Sequence, residues 1–146
     1  DVRGENKRNE VYEEYKANRS AMPEELVPQI PMIEQLLAVF GVPALGIPGW
    51  EADDVIATLV EMVSQQDVDV TVITSDKDIR QLLSPKVRPY NFRTNQYPGE
   101  EDLQKHCGVT PAQVVDFQAL FDASIDNGPG VPSMEPKKHW PPLEQC

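Results

Sequence analysis

Cysteine, histidine, long apolar runs and positive charge are all scarce in this 146-residue chain. Two cysteines, Cys107 and Cys146, cannot make a disulfide scaffold and fit a reducing compartment. His106 and Cys107 are adjacent, but no second Cys/His pair stands at zinc-finger spacing, and His139 lies far along the chain. No apolar run approaches the roughly 20 residues of a membrane span, so no membrane is expected as a partner. Thirteen basic residues against 24 acidic ones give a net charge of −11, the wrong sign for a protein that simply coats phosphate backbones.

What is present is ordinary for a folded domain. Hydrophobic residues at 40% and charged ones at 25% exclude wholesale disorder, and the length suffices for one domain, or one domain and a fragment. The charge is uneven. Residues 31–80 hold 9 acids and 2 bases and so carry −7 of the −11. If nucleic acid is the partner, bound cations must reverse the field there.

Periodicity organises the chain. A helix is expected through 10–19, interrupted by Pro23 and Pro28. Ile30, Ile33, Leu36, Leu37 and Phe40 follow helical spacing and predict a buried helix over 31–40, stopped by Gly41. A short strand is expected at 42–47, then a turn at Pro48-Gly49 and a helix over 51–64 with Val55, Ile56, Leu59, Val60 and Val63 inward. The β-branched run from Val68 to Thr74 reads as a buried parallel strand, which would complete a right-handed βαβ unit. A short helix at 78–83, a strand at 86–92, a turn at 94–99 and a helix at 100–106 ending at Gly108 follow. Thr110-Pro111-Ala112-Gln113 has the order of an N-cap, a first-turn Pro and a capping-box Gln, so a helix to about Leu120 is expected. Five prolines in 129–142 mark an irregular tail.

Two acidic groups carry the chemistry. Glu51-Ala52-Asp53-Asp54 puts three carboxylates at a helix start, where the macrodipole favours anions but only one or two can meet free N–H groups. Asp76 follows a parallel strand at once, on the sheet edge where ligands bind in open α/β folds, and Asp78 is two residues on. Helix capping by Asp76, with Lys77 as an ion-pair partner, is the simpler reading of that site alone. If the strand at 42–47 is parallel to Val68–Thr74, both groups lie on one edge. Carboxylates about 4 Å apart repel by about 4 kcal/mol at an effective dielectric near 20, so such a rim needs cations. Oxygen ligands without nearby His or Cys favour Mg²⁺ or Mn²⁺. Two such ions can activate a water and stabilise a leaving oxygen in phosphodiester hydrolysis.

Five motifs in order then resemble one family: Tyr15-Lys16-Ala17-Asn18-Arg19; Gly49-Trp50-Glu51-Ala52-Asp53-Asp54-Val55; Thr74-Ser75-Asp76-Lys77-Asp78 with Gln81-Leu82-Leu83; Gly108-Val109-Thr110-Pro111; and Asp126-Asn127-Gly128-Pro129-Gly130-Val131. Together, over nearly residues 1–132, they look like the 5′→3′ exonuclease domain of bacterial DNA polymerase I, of the flap endonuclease family. The resemblance implies an α/β, PIN-like (resolvase-like) three-layer fold with a mainly parallel central sheet over 1–107. The start of a helix-hairpin-helix DNA-binding region, as a degenerate remnant, would occupy 108–146. It implies hydrolysis of DNA from a 5′ end or flap with Mg²⁺ or Mn²⁺, as two ions, in a monomer of the bacterial cytoplasm whose parent protein carries a polymerase domain. By the same resemblance Asp1, Glu51, Asp53, Asp54, Asp76, Asp78 and Asp126 match metal-binding acids. Tyr15, Lys16 and Arg19 fall in the segment that contacts DNA, and Lys77 stands within reach of a phosphate. The implied catalytic residues are Lys16, Arg19, Asp76 and Asp78.

The chain departs from the pattern at three places. The family's first strand does not precede Asp1, Ala123 stands at an acid position of Asp122-Ala123-Ser124-Ile125-Asp126-Asn127, and Ser133-Met134-Glu135 replaces a glycine hairpin that approaches phosphate closely. These departures support an alternative of a different class, a catalytically inactive remnant that binds metal or a protein partner. An RNA-cleaving PIN domain fits less well, because the Tyr-Lys-x-x-Arg segment belongs to the flap-nuclease pattern.

Overall fold

The computed structural model describes residues 1–2 and 4–121. The expectations for Ala123, Asp126, the hairpin position and the Pro-rich tail lie outside these residues. The chain divides into a unit of residues Asp1–Val55 and a second from Ile56 onward.

In the first unit, helix α1 spans Lys7–Val11, with Asn6 as N-cap accepting from the Arg8 amide at 2.9 Å. It ends at Tyr12 instead of running to 19. Lys16 takes a positive φ of 57°, so 13–18 form successive turns with i→i+3 bonds such as Tyr15 N to Tyr12 O. Helix α2, Gln29–Val39, matches the apolar periodicity, and Gly41 at φ 67° stops it. Its expected burial does not follow: no α2 residue is buried, and Ile33, Leu36 and Phe40 are exposed. Periodicity forms the helix but does not supply a partner for its face. The strand expected over 42–47 is not formed either. Pro43 and Pro48 cannot donate to a ladder, and Gly46 adds backbone freedom between them. Among the described residues no strand over 42–47 therefore leads into Glu51 parallel to Val68–Thr74.

Helix α3, Ala52–Ser64, begins where expected, and the division between the units falls within it. Of its apolar face only Val60 is buried; Val55, Ile56 and Val63 are half-buried and Leu59 is exposed. In the second unit β1, Val70–Ile73, pairs in parallel with β2, Val87–Tyr90, in the register Val70↔Val87 to Ile73↔Tyr90. These are the only two strands of the sheet among the described residues. The crossover between them is a 3-10 helix, Asp78–Leu82. Val60, Val72, Ile79 and Val87 form one core cluster here, with Ile56, Val70 and Leu82 against it.

Helix α4, Glu100–Cys107, opens with Asp102 Oδ2 accepting from the Gly99 amide at 2.9 Å and closes on Gly108 at φ 71°. The Thr110 signal is realised: Gln113 Oε1 accepts from the Thr110 amide at 3.0 Å. A 3-10 turn, Pro111–Gln113, then leads into α5, Val114–Phe121. Leu103, Cys107, Val109, Val114 and Phe117 make the second core cluster. Leu103 is 3% exposed. Leu103→Ala is expected to lower unfolding stability by about 2–5 kcal/mol. A loss below about 1 kcal/mol in urea melts would show that this cluster does not hold the α4–α5 region.

Candidate metal centre

Glu51 precedes α3, and Asp53 and Asp54 stand in its first turn. The helix start needs acceptors for its free amides. Asp54 Oδ2 accepts from the Glu51 amide at 3.1 Å, and Asp1 Oδ1 accepts from the Ala52 amide at 2.5 Å. Asp1 and Asp54 thus supply acceptors for the free amides at one helix terminus within the first unit, beside Glu51.

Cationic side chains already hold two of these carboxylates. Arg8 grips Asp54 with two parallel bonds, Nη1 to Oδ2 and Nη2 to Oδ1, both 2.7 Å. Lys16 Nζ donates to both oxygens of Glu51, at 2.7 and 2.8 Å. Asn6 Nδ2 donates to Glu51 Oε1 at 2.6 Å and the Tyr15 hydroxyl to Oε2 at 3.3 Å. The Glu51 side chain is 12% exposed, so this pairing works in a partly dry setting. The fork-to-fork hydrogen bond from Arg8 holds the Asp54 carboxyl below its ordinary value of 3.8. Burial is the largest influence on Lys16 and works against its charge, but hydrogen bonds to Glu51 and Tyr15 together with the charges of those two groups outweigh it and leave its pKa raised. The Arg8 pKa is raised in the same way, chiefly by Asp54.

In the second unit, Asp76 and Asp78 follow β1 directly. The Asp76 amide donates to Thr74 Oγ1 at 2.9 Å, and Asp76 Oδ1 accepts from the Asp78 amide at 3.0 Å, an Asx turn just before the 3-10 helix, whose N-cap is Lys77 and not Asp76 as expected. Asp78 Oδ1 accepts from Gln118 Nε2 at 2.5 Å. Asp76 is exposed and Asp78 half-buried. Lys77 and Arg19 are exposed.

The side chains of Tyr15 and Lys16, matched to a DNA-contacting segment, turn onto Glu51. Among the described residues no group of three or more His, Cys, Asp or Glu is close enough to hold a metal ion. The donor set is all carboxylate, which suits a hard divalent cation. The guanidinium on Asp54 and the ammonium on Glu51 stand where positive charge is wanted, so the residues fit such an ion in charge and chemistry. The sequence reading missed Arg8 and Asn6. A signal was available: residues 1–30 hold five basic side chains, and carboxylates crowded at 51–54 require counter-charge.

Comparison with known proteins agrees with this chemistry. The family profile described as 5′-3′ exonuclease, N-terminal resolvase-like domain, matches residues 1–109. DNA polymerase I of Rhizobium leguminosarum is 41% identical over 138 residues, covering 94% of this chain and 14% of that protein. The 5′-3′ exonuclease of Aquifex aeolicus is 39% identical over 137 residues, covering 94% of this chain and 47% of that protein. The chain therefore spans less than half the length of these relatives. Among solved structures, a bacteriophage T5 protein co-crystallised with metal ions superimposes with a TM-score of 0.71 at 28% identity, over 90% of this chain and 54% of that one. The T5 flap endonuclease in a pseudo-enzyme–product complex with DNA and metal ions gives 0.72 at 26% identity, over 93% of this chain and 54% of that one. The match over residues 1–109, with the acids gathered at α3 and after β1, places this chain in the family of the 5′-3′ exonuclease N-terminal, resolvase-like domain.

Proposed function

We propose that the chain is the catalytic part of a divalent-metal-dependent 5′→3′ exonuclease or flap endonuclease that hydrolyses phosphodiester bonds in DNA bearing a 5′ end or flap. The observation that supports the reading is the match of residues 1–109 to the 5′-3′ exonuclease N-terminal domain, with Asp1 and Asp54 bonded to the amides at the start of α3 beside Glu51. Glu51, Asp53, Asp54, Asp76 and Asp78, with Asp1 and Asp126, are the residues that would hold Mg²⁺ or Mn²⁺, as two ions. When bound, such ions supply an activated water and charge stabilisation for the leaving oxygen. Lys16 and Arg19 bind the phosphates of the strand, Tyr15 offers a ring to a base, and Lys77 adds a cation beside Asp76. The exonuclease module would occupy 1–107, and 108–146 would begin the DNA-binding region. The setting is a monomeric part of a larger bacterial cytoplasmic protein that includes a polymerase domain. No described helix is long and apolar enough to cross a membrane.

A 5′-flap oligonucleotide incubated with the 146-residue chain and Mg²⁺ or Mn²⁺ tests this. Cleavage that a chelator stops is expected; no cleavage with either ion overturns the catalytic reading. One observation favours the inactive alternative: Arg8 and Lys16 occupy Asp54 and Glu51. That alternative predicts thermal stabilisation by Mg²⁺ with the DNA left intact.

A further inference from the structure

A second feature of the second unit stands apart from the acids. Between Asp78 and Glu100 the chain has no acidic residue, yet it holds Arg80, Lys86, Arg88 and Arg93, in a protein of net charge −11. Three of its ten aromatic residues, Tyr90, Phe92 and Tyr97, fall within the same stretch. No core packing accounts for the last two: Phe92 is 57% and Tyr97 55% exposed.

The loop after β2 is a built structure. The Asn91 amide donates to Gln96 O at 2.8 Å, and the Gln96 amide returns to Asn91 O at 3.2 Å. Asn91 Oδ1 accepts from the amides of Arg93 and Thr94, at 3.0 and 3.3 Å. Asn95 adopts a positive φ of 55°, and its side chain accepts from the Tyr90 hydroxyl at 2.8 Å. On this frame each guanidinium lies over a ring, Arg88 at 5.0 Å from the Tyr97 centroid and Arg93 at 6.0 Å from that of Phe92. Tyr90 and Tyr97 pack with centroids 4.8 Å apart. Lys86 is committed to Asp67, so Arg88 and Arg93 are the cations beside the rings.

Ring faces beside guanidinium groups are the combination that holds single-stranded nucleic acid, where bases stack and phosphates pair with Arg. Position supports the same partner. The register Ile73↔Tyr90 sets Asn91 level with Thr74, so this loop and Asp76 leave the sheet at its one carboxyl edge.

We infer that Arg88, Phe92, Arg93 and Tyr97 form a docking surface for a single strand of DNA, beside the edge that carries Asp76. This rests on the reading that the chain acts on DNA. It adds a contact that neither the acids nor the Tyr15–Arg19 segment provides.

The test is fluorescence anisotropy of a labelled oligo(dT) of about 12 nucleotides with the 146-residue chain in chelator, where no cleavage occurs. Phe92→Ala combined with Arg93→Ala is expected to weaken binding at least about fivefold and to flatten the log–log salt slope by about 0.7 for one lost phosphate contact. Arg93→Glu alone, which leaves the rings intact, is expected to weaken binding further. Both sites are exposed, and matching melting temperatures confirm that the variants are folded. Unchanged affinity in both variants overturns the inference, as does wild-type protein that prefers a polyglutamate peptide to oligo(dT). The flap assay is independent of this one. A chain that binds oligo(dT) through Phe92 and Arg93 yet cleaves no flap upholds this surface while the catalytic reading fails. A chain that cleaves flaps while both variants bind like wild type overturns only this surface.

Discussion

Asp76→Ala combined with Asp78→Ala is expected to lower 5′-flap cleavage by at least about a thousandfold, or about 4 kcal/mol of transition-state stabilisation. Both carboxylates follow β1 on the sheet edge, and Asp76 is exposed there, open to a ligand. On the proposed function, Asp76 and Asp78 would hold a divalent cation that supplies an activated water, and removing two anions would take away the charge that holds it. The alanines also delete structural bonds, the Asx-turn bond from the Asp78 amide to Asp76 and the Gln118 contact to Asp78. A lost hydrogen bond of this kind costs about 1 kcal/mol, too little to explain a thousandfold loss in a protein that remains folded. Asp76→Asn with Asp78→Asn separates the two effects, since an amide oxygen still accepts both hydrogen bonds. Asparagine variants that retain cleavage within about tenfold of wild type would remove these residues from the catalytic set.

Arg8→Met should change stability with a sign that depends on whether metal is present. Without metal, the variant removes a bidentate partner and leaves Asp54 charged beside Glu51. The Arg8 side chain is 40% exposed and that of Asp54 25%, so solvent screening limits the loss to about 1–2 kcal/mol in urea melts. With metal, the guanidinium no longer competes for Asp54, and divalent cations should raise the melting temperature more in the variant than in wild type. Equal metal-induced shifts would show that Arg8 and the cation do not share Asp54. The pH dependence follows from the depressed Asp54 pKa. A carboxyl held below 3.8 contributes stability that is present above that value and is lost as pH falls through the lower, folded value. Wild type should therefore lose stability below about pH 4, and Arg8→Met should lose less over the same interval. Parallel acid curves for the two proteins would contradict the pairing.

Local signals in the sequence were reliable where the physics is local. The β-branched run gave β1, the cap signal at Thr110 gave the turn into α5, and Gly41 and Gly108 ended α2 and α4 at positive φ. Each depends on a few neighbouring residues. Prolines decided against the strand at 42–47, a local rule that the short apolar pattern concealed. The helix expected over 10–19 stops at Val11, where Tyr12 turns extended, and the chain then passes through a left-handed Lys16, which no propensity of Lys foretells.

The sequence by itself determined the family motifs, helices α2 to α5, the strands β1 and β2, and the presence of two acidic groups. Only the tertiary structure decided which cation meets which carboxylate. Arg8 and Asp54 are 46 residues apart, and Lys16 and Glu51 are 35 apart. The tertiary structure also left the apolar face of α2 unburied. Periodicity reports the face a segment presents within a turn or two. Pairing across tens of residues depends on how the intervening turns close, and here on glycine and proline positions whose combined path no single window contains.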